Sequence, residues 1–483
     1  MNYEAVIGLE IHVELNTKSK MFCGCSTKFG GQPNSQCCPL CTGMPGTLPS
    51  MNKEAVRLAV MAGLALNCNV SQYNRMDRKS YFYPDLPKGY QITQQYFPIC
   101  RGGHLDIQLD GQRKRIGITR IHLEEDAGKL VHDELKSNSL VDYNRAGIPL
   151  IEIVTEPHIE SPEEAVEFLE ELRLILVYLG VSECKMAEGG LRCDVNLSIK
   201  PKDQDKLETR TEMKNLNSFR AIYRAIKYET SRQLEVIGSG EQILQQTRKW
   251  DDSKGIGITM RDKEQAHNYR YFNESHLPPF EIDNYFIDKL KVNLIELPAQ
   301  KRERFVREYK IPEYDARVLT TSNLLASFFE DCLKEYDNKD LSIKAKTTSN
   351  WIMGDVMRLM KEHGVEIQDL KLKPAGLVEL MELVDDKTIS GTMAKDVLED
   401  MCIKGKSAQA IVADKGLEQI SGMDELGEIV RAVMEENPKS IQDIIAGKKK
   451  ALGYLVGQTM KKTKGKANPQ LVNKILKDEL RGI

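Results

Sequence analysis

Two close pairs of cysteines near the start of the chain constrain its folding more than any other feature. They are Cys23-Gly24-Cys25 and Cys38-Pro39-Leu40-Cys41, separated by twelve residues. Four thiolates at this spacing can wrap one tetrahedral Zn²⁺, each pair supplying a tight turn. A closed four-sulfur site leaves no coordination position for water, so the knuckle over 23–41 is expected to anchor a loop rather than to activate a nucleophile. Cys37 adjoins Cys38 and competes as a ligand, but the two-residue spacing to Cys41 favours Cys38. The opposing reading is a set of reduced cysteines in an apolar loop. Compartment bears on the choice. Met1-Asn2-Tyr3-Glu4-Ala5 lacks the basic and apolar regions of a signal peptide, and the longest apolar run, around Leu174 to Val181, is too short to cross a bilayer. A cytoplasmic location with no membrane segment is therefore expected. There the eleven cysteines stay reduced, and a clustered set reads as metal-binding. Cys68, Cys100, Cys184, Cys193, Cys332 and Cys402 are scattered and read as small buried hydrophobes.

With 483 residues the chain is too long for one core, and several domains are expected. Its first 290 or so residues mix strand and helix signals. From Tyr3 to Leu15, Ile7, Leu9, Ile11, Val13 and Leu15 alternate with Glu10, His12 and Glu14, the pattern of a half-buried strand. Ile116 to Glu124, Leu150 to Thr155, Leu191 to Ile199 and Thr209 to Asn215 read likewise. Ser161-Pro162-Glu163-Glu164 begins a helix with an N-cap, a first-turn proline and acids at the positive end of the dipole. Its apolar stripe runs through Ala165, Phe168, Leu172, Ile175 and Leu179 to a stop at Gly180. Further helices are expected over Lys53 to Leu66 and Phe219 to Val236. Near Ile295 strand signals fade. Helical periodicity then continues to about residue 405, and a final helical unit starts near Ser407. This gives an α+β chain with expected boundaries 1–293, 294–406 and 407–483.

Three groups of residues carry chemistry. Glu10 and His12 share a strand face, Glu124, Glu125 and Asp126 end a later strand, and Asp194 and Glu212 face out of two more. If these strands are neighbours, oxygen ligands converge with an imidazole and suit Mg²⁺; by alternation alone the same residues read as a solvent-facing row. The segment from Asp77 to Gln91 interleaves Arg78, Lys79 and Lys88 with Tyr81, Phe82, Tyr83 and Tyr90. That mixture suits phosphates and bases, or equally a surface turn. Near the end, Lys448, Lys449, Lys450, Lys461, Lys462, Lys464 and Lys466 occur with no acid between the first and last. Such a run can grip an RNA backbone or simply form a solvated helix face. A net charge of −3 does not exclude nucleic acid, because a local basic patch is what matters. There is no Walker A sequence, and Glu188-Gly189-Gly190-Leu191-Arg192 is only a weak glycine signal.

Taken together these segments closely resemble the B-subunit family of the glutamyl/aspartyl-tRNA amidotransferases. The resemblance is carried by Val6-Ile7-Gly8-Leu9-Glu10-Ile11-His12-Val13-Glu14-Leu15, by Asp77-Arg78-Lys79-Ser80-Tyr81-Phe82-Tyr83-Pro84-Asp85 and by Arg120-Ile121-His122-Leu123-Glu124-Glu125-Asp126-Ala127-Gly128. It continues in Asn144 to Pro157, Lys214-Asn215-Leu216-Asn217-Ser218, Leu455 to Met460 and Gly465-Lys466-Ala467-Asn468-Pro469-Gln470, and so covers essentially the whole chain. One departure lies in Asn273-Glu274-Ser275-His276, where the family usually shows proline for Asn273 and Pro-Asp for Ser275-His276, which leaves the shape of that loop open.

The resemblance implies a mixed-sheet cradle domain with an inserted zinc knuckle, an all-helical domain and a small helical tail domain that binds tRNA. It implies a complex with an amidase (glutaminase) subunit and a small linking subunit. That complex converts Glu-tRNA(Gln) to Gln-tRNA(Gln), or Asp-tRNA(Asn) to Asn-tRNA(Asn), using ATP and Mg²⁺. The absence of a Gly-x-Cys-x-Gly nucleophile or a serine-rich amidase signature agrees with ammonia arriving from a partner. Glu10, His12, Glu124, Glu125, Asp194 and Glu212 are then the expected Mg²⁺ and ATP ligands. Glu10, His12, Glu125, Lys79 and Arg192 are expected to carry the chemistry, with Lys79 and Arg192 pairing with phosphate oxygens. Zinc would be structural, since some family members lack the cysteines. Two rivals stand beside this reading. One is a zinc-containing RNA-binding adaptor without catalysis. The other is a metallohydrolase using His12 and the acids, for which no H-E-x-x-H signature exists.

Overall fold

The alternation at the start of the chain folds as strand β1 (Tyr3–Glu14). Ile7, Leu9, Ile11 and Val13 are fully buried on one face, while Glu10, His12 and Glu14 occupy the other. The structure is a computed structural model that describes residues 3–133, 138–202, 209–262, 269–336, 340–417, 423–445, 449–463 and 466–481. Lys448, Lys464 and Gly465 lie outside the described residues. Contacts divide the chain into two units, Met1–Leu297 and Pro298–Ile483.

The first unit is built on a nine-stranded mixed sheet. After β1 its strands are β2 (Asn69–Val70), β3 (Cys100–Leu109), β4 (Gln112–Glu125), β5 (Pro149–Thr155), β6 (Leu191–Pro201), β7 (Thr211–Lys214), β8 (Gln246–Asp251) and β9 (Ile256–Asp262). Their order across the sheet is β9-β8-β7-β6-β1-β5-β4-β3-β2. Only β7 and β8 run parallel; the other neighbours are antiparallel. The N-terminal strand thus sits at the centre, flanked by strands that come far later in the chain.

Three helices cover the apolar face. Helix α1 (Lys53–Ala65) is capped by Asn52, α2 (Pro162–Tyr178) by Ser161 and α3 (Phe219–Gly238) by Ser218, each side-chain oxygen accepting from backbone N–H groups of the first turn. Gly180 ends the α2 region at φ +65°, a left-handed conformation that suits glycine. The α2 stripe of Ala165, Phe168, Leu172 and Ile175, together with Ile222 and Ile226 of α3, joins the inward residues of β1 in one hydrophobic cluster. Each fully buried side chain of this size contributes about 1.5–3 kcal/mol, so the cluster fixes which face of the sheet points away from the helices. The six scattered cysteines are all buried.

A second, three-stranded sheet pairs Asp77–Ser80 with Tyr90–Thr93 on one side and Phe272–Asn273 on the other. The loop at the sequence departure is held here. Glu274 is fully buried, and Arg78 donates to both of its oxygens at 2.6 and 2.9 Å. The His276 N–H donates to Glu274 at 2.9 Å, and the His276 ring lies 3.1 Å from Arg78.

The second unit is helical throughout its described residues, from Pro298–Tyr309 to Pro469–Arg481. It contains two hydrophobic clusters, one formed between Phe305 and Val412 and the other between Leu426 and Leu476. Among the described residues no helix is long and apolar enough to cross a membrane.

Candidate functional site

Strand register builds the site. Across the helix-free face, Arg192 of β6 lies opposite His12 of β1, His12 opposite Glu152 of β5, and Glu152 opposite His122 of β4. Directly opposed residues point to the same side of a sheet, so one rung carries a guanidinium, an imidazole, a carboxylate and a second imidazole in a line. Two residues along each strand, Glu10 and Glu124 flank this rung. The Nε2 atom of His12 is 3.3 Å from Glu152, 3.5 Å from Glu124 and 3.9 Å from Glu10. The Nε2 atom of His122 is 3.5 Å from Glu152 and 3.7 Å from Glu124.

The electrostatics follow from burial and crowding. Burial disfavours a charged His12, yet Glu152 accepting from it and the nearby Glu124 outweigh that penalty and raise its pKa to about 9. Burial also opposes charge on Glu152, but His122, His12 and Lys79 hold it well below the usual carboxylate range. Glu10 is pushed up, first by burial and then by Glu152. Lys79 reaches this cluster from the small sheet. Burial opposes its charge, while Tyr271, Glu124 and Glu152 raise its pKa. Its ammonium lies 4.8 Å from the Tyr269 ring centroid. The Nδ1 atom of His122 is buried without a hydrogen-bond partner among the described residues.

Glu10, His12 and Glu152 form one set of potential metal ligands and His122, Glu124 and Glu152 a second, sharing Glu152. Three carboxylates and two imidazoles crowded together, most of them buried, suit a hard divalent cation, which would take over from the His12 proton in balancing the carboxylates. The donor set fits such an ion.

The other expected residues take different places. Asp194 lies opposite Glu10, on the same face, but its carboxylate contacts the Lys214 ammonium, which is also 3.0 Å from Glu212. Lys214 is thus the counter-ion of both acids, and it keeps them at the margin of the cluster. Glu125 does not join the others. It follows Glu124 on the same strand and so points to the opposite side. There it contacts the Lys88 ammonium and accepts from the Ile92 N–H at 3.0 Å. Arg192 extends toward Asp126 at 2.9 Å, and Arg145 holds the other oxygen of Asp126 at 2.6 Å. These two guanidinium groups keep Asp126 ionised despite its burial. Glu14, half-buried beside Asp126, has its pKa raised to about 7, first by desolvation and then by the Asp126 charge.

Sequence reading missed Glu152 and His122. A signal for Glu152 was available, because a single acid inside the apolar run Leu150-Ile151-Glu152-Ile153-Val154 has to be buried with a partner; it is only 6% exposed. His122 precedes Glu124 at strand period and carries the same signal more weakly.

The four cysteines also converge. Cys23, Cys25, Cys38 and Cys41 form one ligand group, with the Cys41 sulfur 3.6 Å from that of Cys23 and 3.8 Å from that of Cys38. Four sulfurs about 2.3 Å from a tetrahedral zinc would stand about 3.8 Å apart, so the site is close to the size a metal requires. Cys37 lies outside the group, and its sulfur donates to the Asn34 carbonyl at 3.1 Å. Lys20, almost fully buried, places its ammonium 3.4 Å from the Cys41 sulfur and 3.1 Å from the Tyr143 carbonyl. The Cys41 thiol is pulled down by Cys23 donating to it, with Cys38 and Lys20 adding to the effect. Gly43 has φ +68°, and a side chain there would come within 2.8 Å of the Pro87 backbone. The knuckle thus packs directly against the Lys88 segment.

Residues 5–288 match the family model described as the GatB/GatE catalytic domain, and residues 327–480 match the GatB domain. The chain is 56% identical over 486 residues to the B subunit of the aspartyl/glutamyl-tRNA(Asn/Gln) amidotransferase from Caldicellulosiruptor saccharolyticus, covering 100% of both chains. It is 54% identical over 480 residues to the protein of that name from a Thermoanaerobacter species, covering 99% of this chain and 100% of the relative. It is 51% identical over 481 residues to the one from Clostridium tetani, covering 99% of each.

Proposed function

The chain belongs to the family of aspartyl/glutamyl-tRNA(Asn/Gln) amidotransferase B subunits, and from that premise we propose that its helix-free sheet face is where the side-chain carboxylate of a misacylated tRNA is activated by ATP. The observation that carries the reading is the rung Arg192–His12–Glu152–His122, with Lys79 beside it. A carboxylate is a poor acyl donor because its leaving group would be oxide. Attack of its oxygen on the γ-phosphorus of ATP, with release of ADP, gives an acyl phosphate. Ammonia then attacks the acyl carbon, phosphate departs, and the amide loses a proton to solvent or base.

Glu10, His12, Glu124 and Glu152 would hold Mg²⁺, with His122 supporting Glu152. When bound, that ion supplies charge neutralisation and in-line alignment of the phosphates. Lys79 presents an ammonium to the phosphate oxygens. Asp126 accepts from Arg192 and so fixes its guanidinium beside the rung. Asp194 and Glu212 border the site through Lys214. Glu125 acts from the opposite side, where it holds Lys88 in place.

The four cysteines would hold a structural zinc, and Lys20 offsets part of the negative charge of four thiolates. Metal analysis of the purified chain is expected to find one zinc, and a metal-free chain with normal folding would remove that assignment. The knuckle lies within a catalytic domain, residues 1–293, which is followed by a helical domain over 294–406 and a tail over 407–483. The lysines of the tail would meet tRNA phosphates, contacts that position without reading sequence. The partners are a glutaminase subunit that releases ammonia and a small linking subunit. The substrates are Glu-tRNA(Gln), Asp-tRNA(Asn) or both, and the location is the cytoplasm.

The decisive experiment combines the chain with both partner subunits, glutamine, ATP and each misacylated tRNA. ADP and amidated tRNA are expected together, with tRNA affinity falling steeply as salt rises. ADP formation that ignores the tRNA would overturn the reading, and binding without any ADP would leave only an adaptor.

A further inference from the structure

Four tyrosine rings form a row that leads from the surface to the carboxylate–imidazole rung. Tyr83, 47% exposed, lies 5.9 Å from Tyr81 between ring centroids; Tyr81 lies 6.4 Å from Tyr269, and Tyr269 lies 6.0 Å from Tyr271. The rings come from two distant segments. The Ser80 N–H donating to the Tyr269 carbonyl at 2.8 Å and the pairing of Asp77–Ser80 with Phe272–Asn273 hold them in register. At the inner end the Lys79 ammonium stands over Tyr269, and Tyr271 lies within the fields of both Lys79 and Glu152. At the outer end Phe82 is 86% exposed.

None of the four rings is fully buried, so the row is not a packed core. The rings are tilted by 37 to 63° to one another. A base inserted between two of them would need two stacking distances of about 3.4 Å each, more than the largest separation, so bases can lie only along the open side of the row. Ring faces accept any base and distinguish sequences weakly, which is how unpaired RNA is held without base readout. A single adenine needs one such face. A row of four, starting in solvent and ending at a half-buried cation, suits an extended strand.

We propose that Tyr83, Tyr81, Tyr269 and Tyr271 are a stacking track for the unpaired 3′ strand of the tRNA, which delivers the aminoacylated terminal nucleotide to Lys79 and the adjoining acids. This rests on the reading of the sheet face as the activation site.

The test uses the complete amidotransferase with Tyr83→Ala, Tyr81→Ala and Tyr81→Phe. Each alanine variant is expected to raise KM for Glu-tRNA about tenfold, the loss expected for one stacked base, and to leave KM for ATP unchanged; Tyr81→Phe restores the wild-type value. In parallel, an RNA hairpin with an unpaired 3′ end is expected to bind the wild-type complex more tightly than the same hairpin trimmed blunt, and the alanine variants lose that difference. A rise in KM for ATP alone would reassign the rings to adenine. Unchanged KM values with no hairpin preference would reduce them to loop packing. If the wild-type complex forms no ADP with misacylated tRNA, the activation reading fails, and the hairpin comparison still decides the track.

Discussion

Replacing Glu152 with Gln is expected to abolish tRNA-dependent ADP formation while leaving tRNA affinity unchanged. Glu152 stands between the two imidazoles, 3.3 Å from His12 and 3.5 Å from His122, and belongs to both ligand sets. Glutamine keeps the volume and the packing of this nearly buried position, so the substitution isolates charge. Without the carboxylate, His12 loses the partner that most favours its charged form, and the site loses the one negative charge that its two ligand sets share. Metal-assisted charge stabilisation is worth several kcal/mol in such transition states, so a fall of about a thousandfold in the rate of ATP cleavage is expected. The measurement is ADP release at saturating misacylated tRNA, with tRNA binding by filter retention as the control. Activity within a small factor of wild type would remove Glu152 from the site, and with it the rung as a catalytic unit.

The largest expected loss of stability comes from Arg78→Ala. Arg78 donates to both oxygens of Glu274, which has no exposure to water, and its guanidinium lies 4.1 Å from the Tyr90 ring centroid. Removing one member of a buried ion pair leaves the other charged and unpaired, at a cost of about 3–5 kcal/mol. The double variant Arg78→Ala/Glu274→Ala should recover part of that cost, because it removes the stranded charge as well. Denaturant unfolding followed by a probe in the first unit reads both, and limited proteolysis around residues 269–277 reports the local opening. A single variant as stable as the wild type would show that Glu274 finds another partner or loses its charge. The pair also holds the loop over Asn273-Glu274-Ser275-His276 in place. The anchor is Glu274, and Asn273 pairs with Asp77 in the strand.

Strand period made much of this legible in the sequence. In β1 a two-residue repeat separates the core face from the site face, and it places Glu10 and His12 together without any structural knowledge. The convergence of the four cysteines was equally legible, because cysteine spacing is local. Register between strands was not. That Glu152 lies opposite His12, and that Lys214 stands between Asp194 and Glu212, depends on pairing between separate strands and on a nearby cation, neither of which periodicity encodes. Glu125 illustrates the limit. As a neighbour of Glu124 in an acidic run it looked like a fellow ligand, yet adjacent strand residues face opposite ways, and the run itself gave no indication which acid faced the site.

The position of β1 has a consequence for how the protein is made. It carries Ile7, Leu9, Ile11 and Val13 along one side and is translated before the strands it pairs with, β5 and β6. Until then both of its edges and its greasy face wait for partners, a state prone to sticking to other chains. The delay has a compensation. Its two flanking strands supply Glu152 and Arg192, so a truncated or half-synthesised polypeptide cannot assemble the rung.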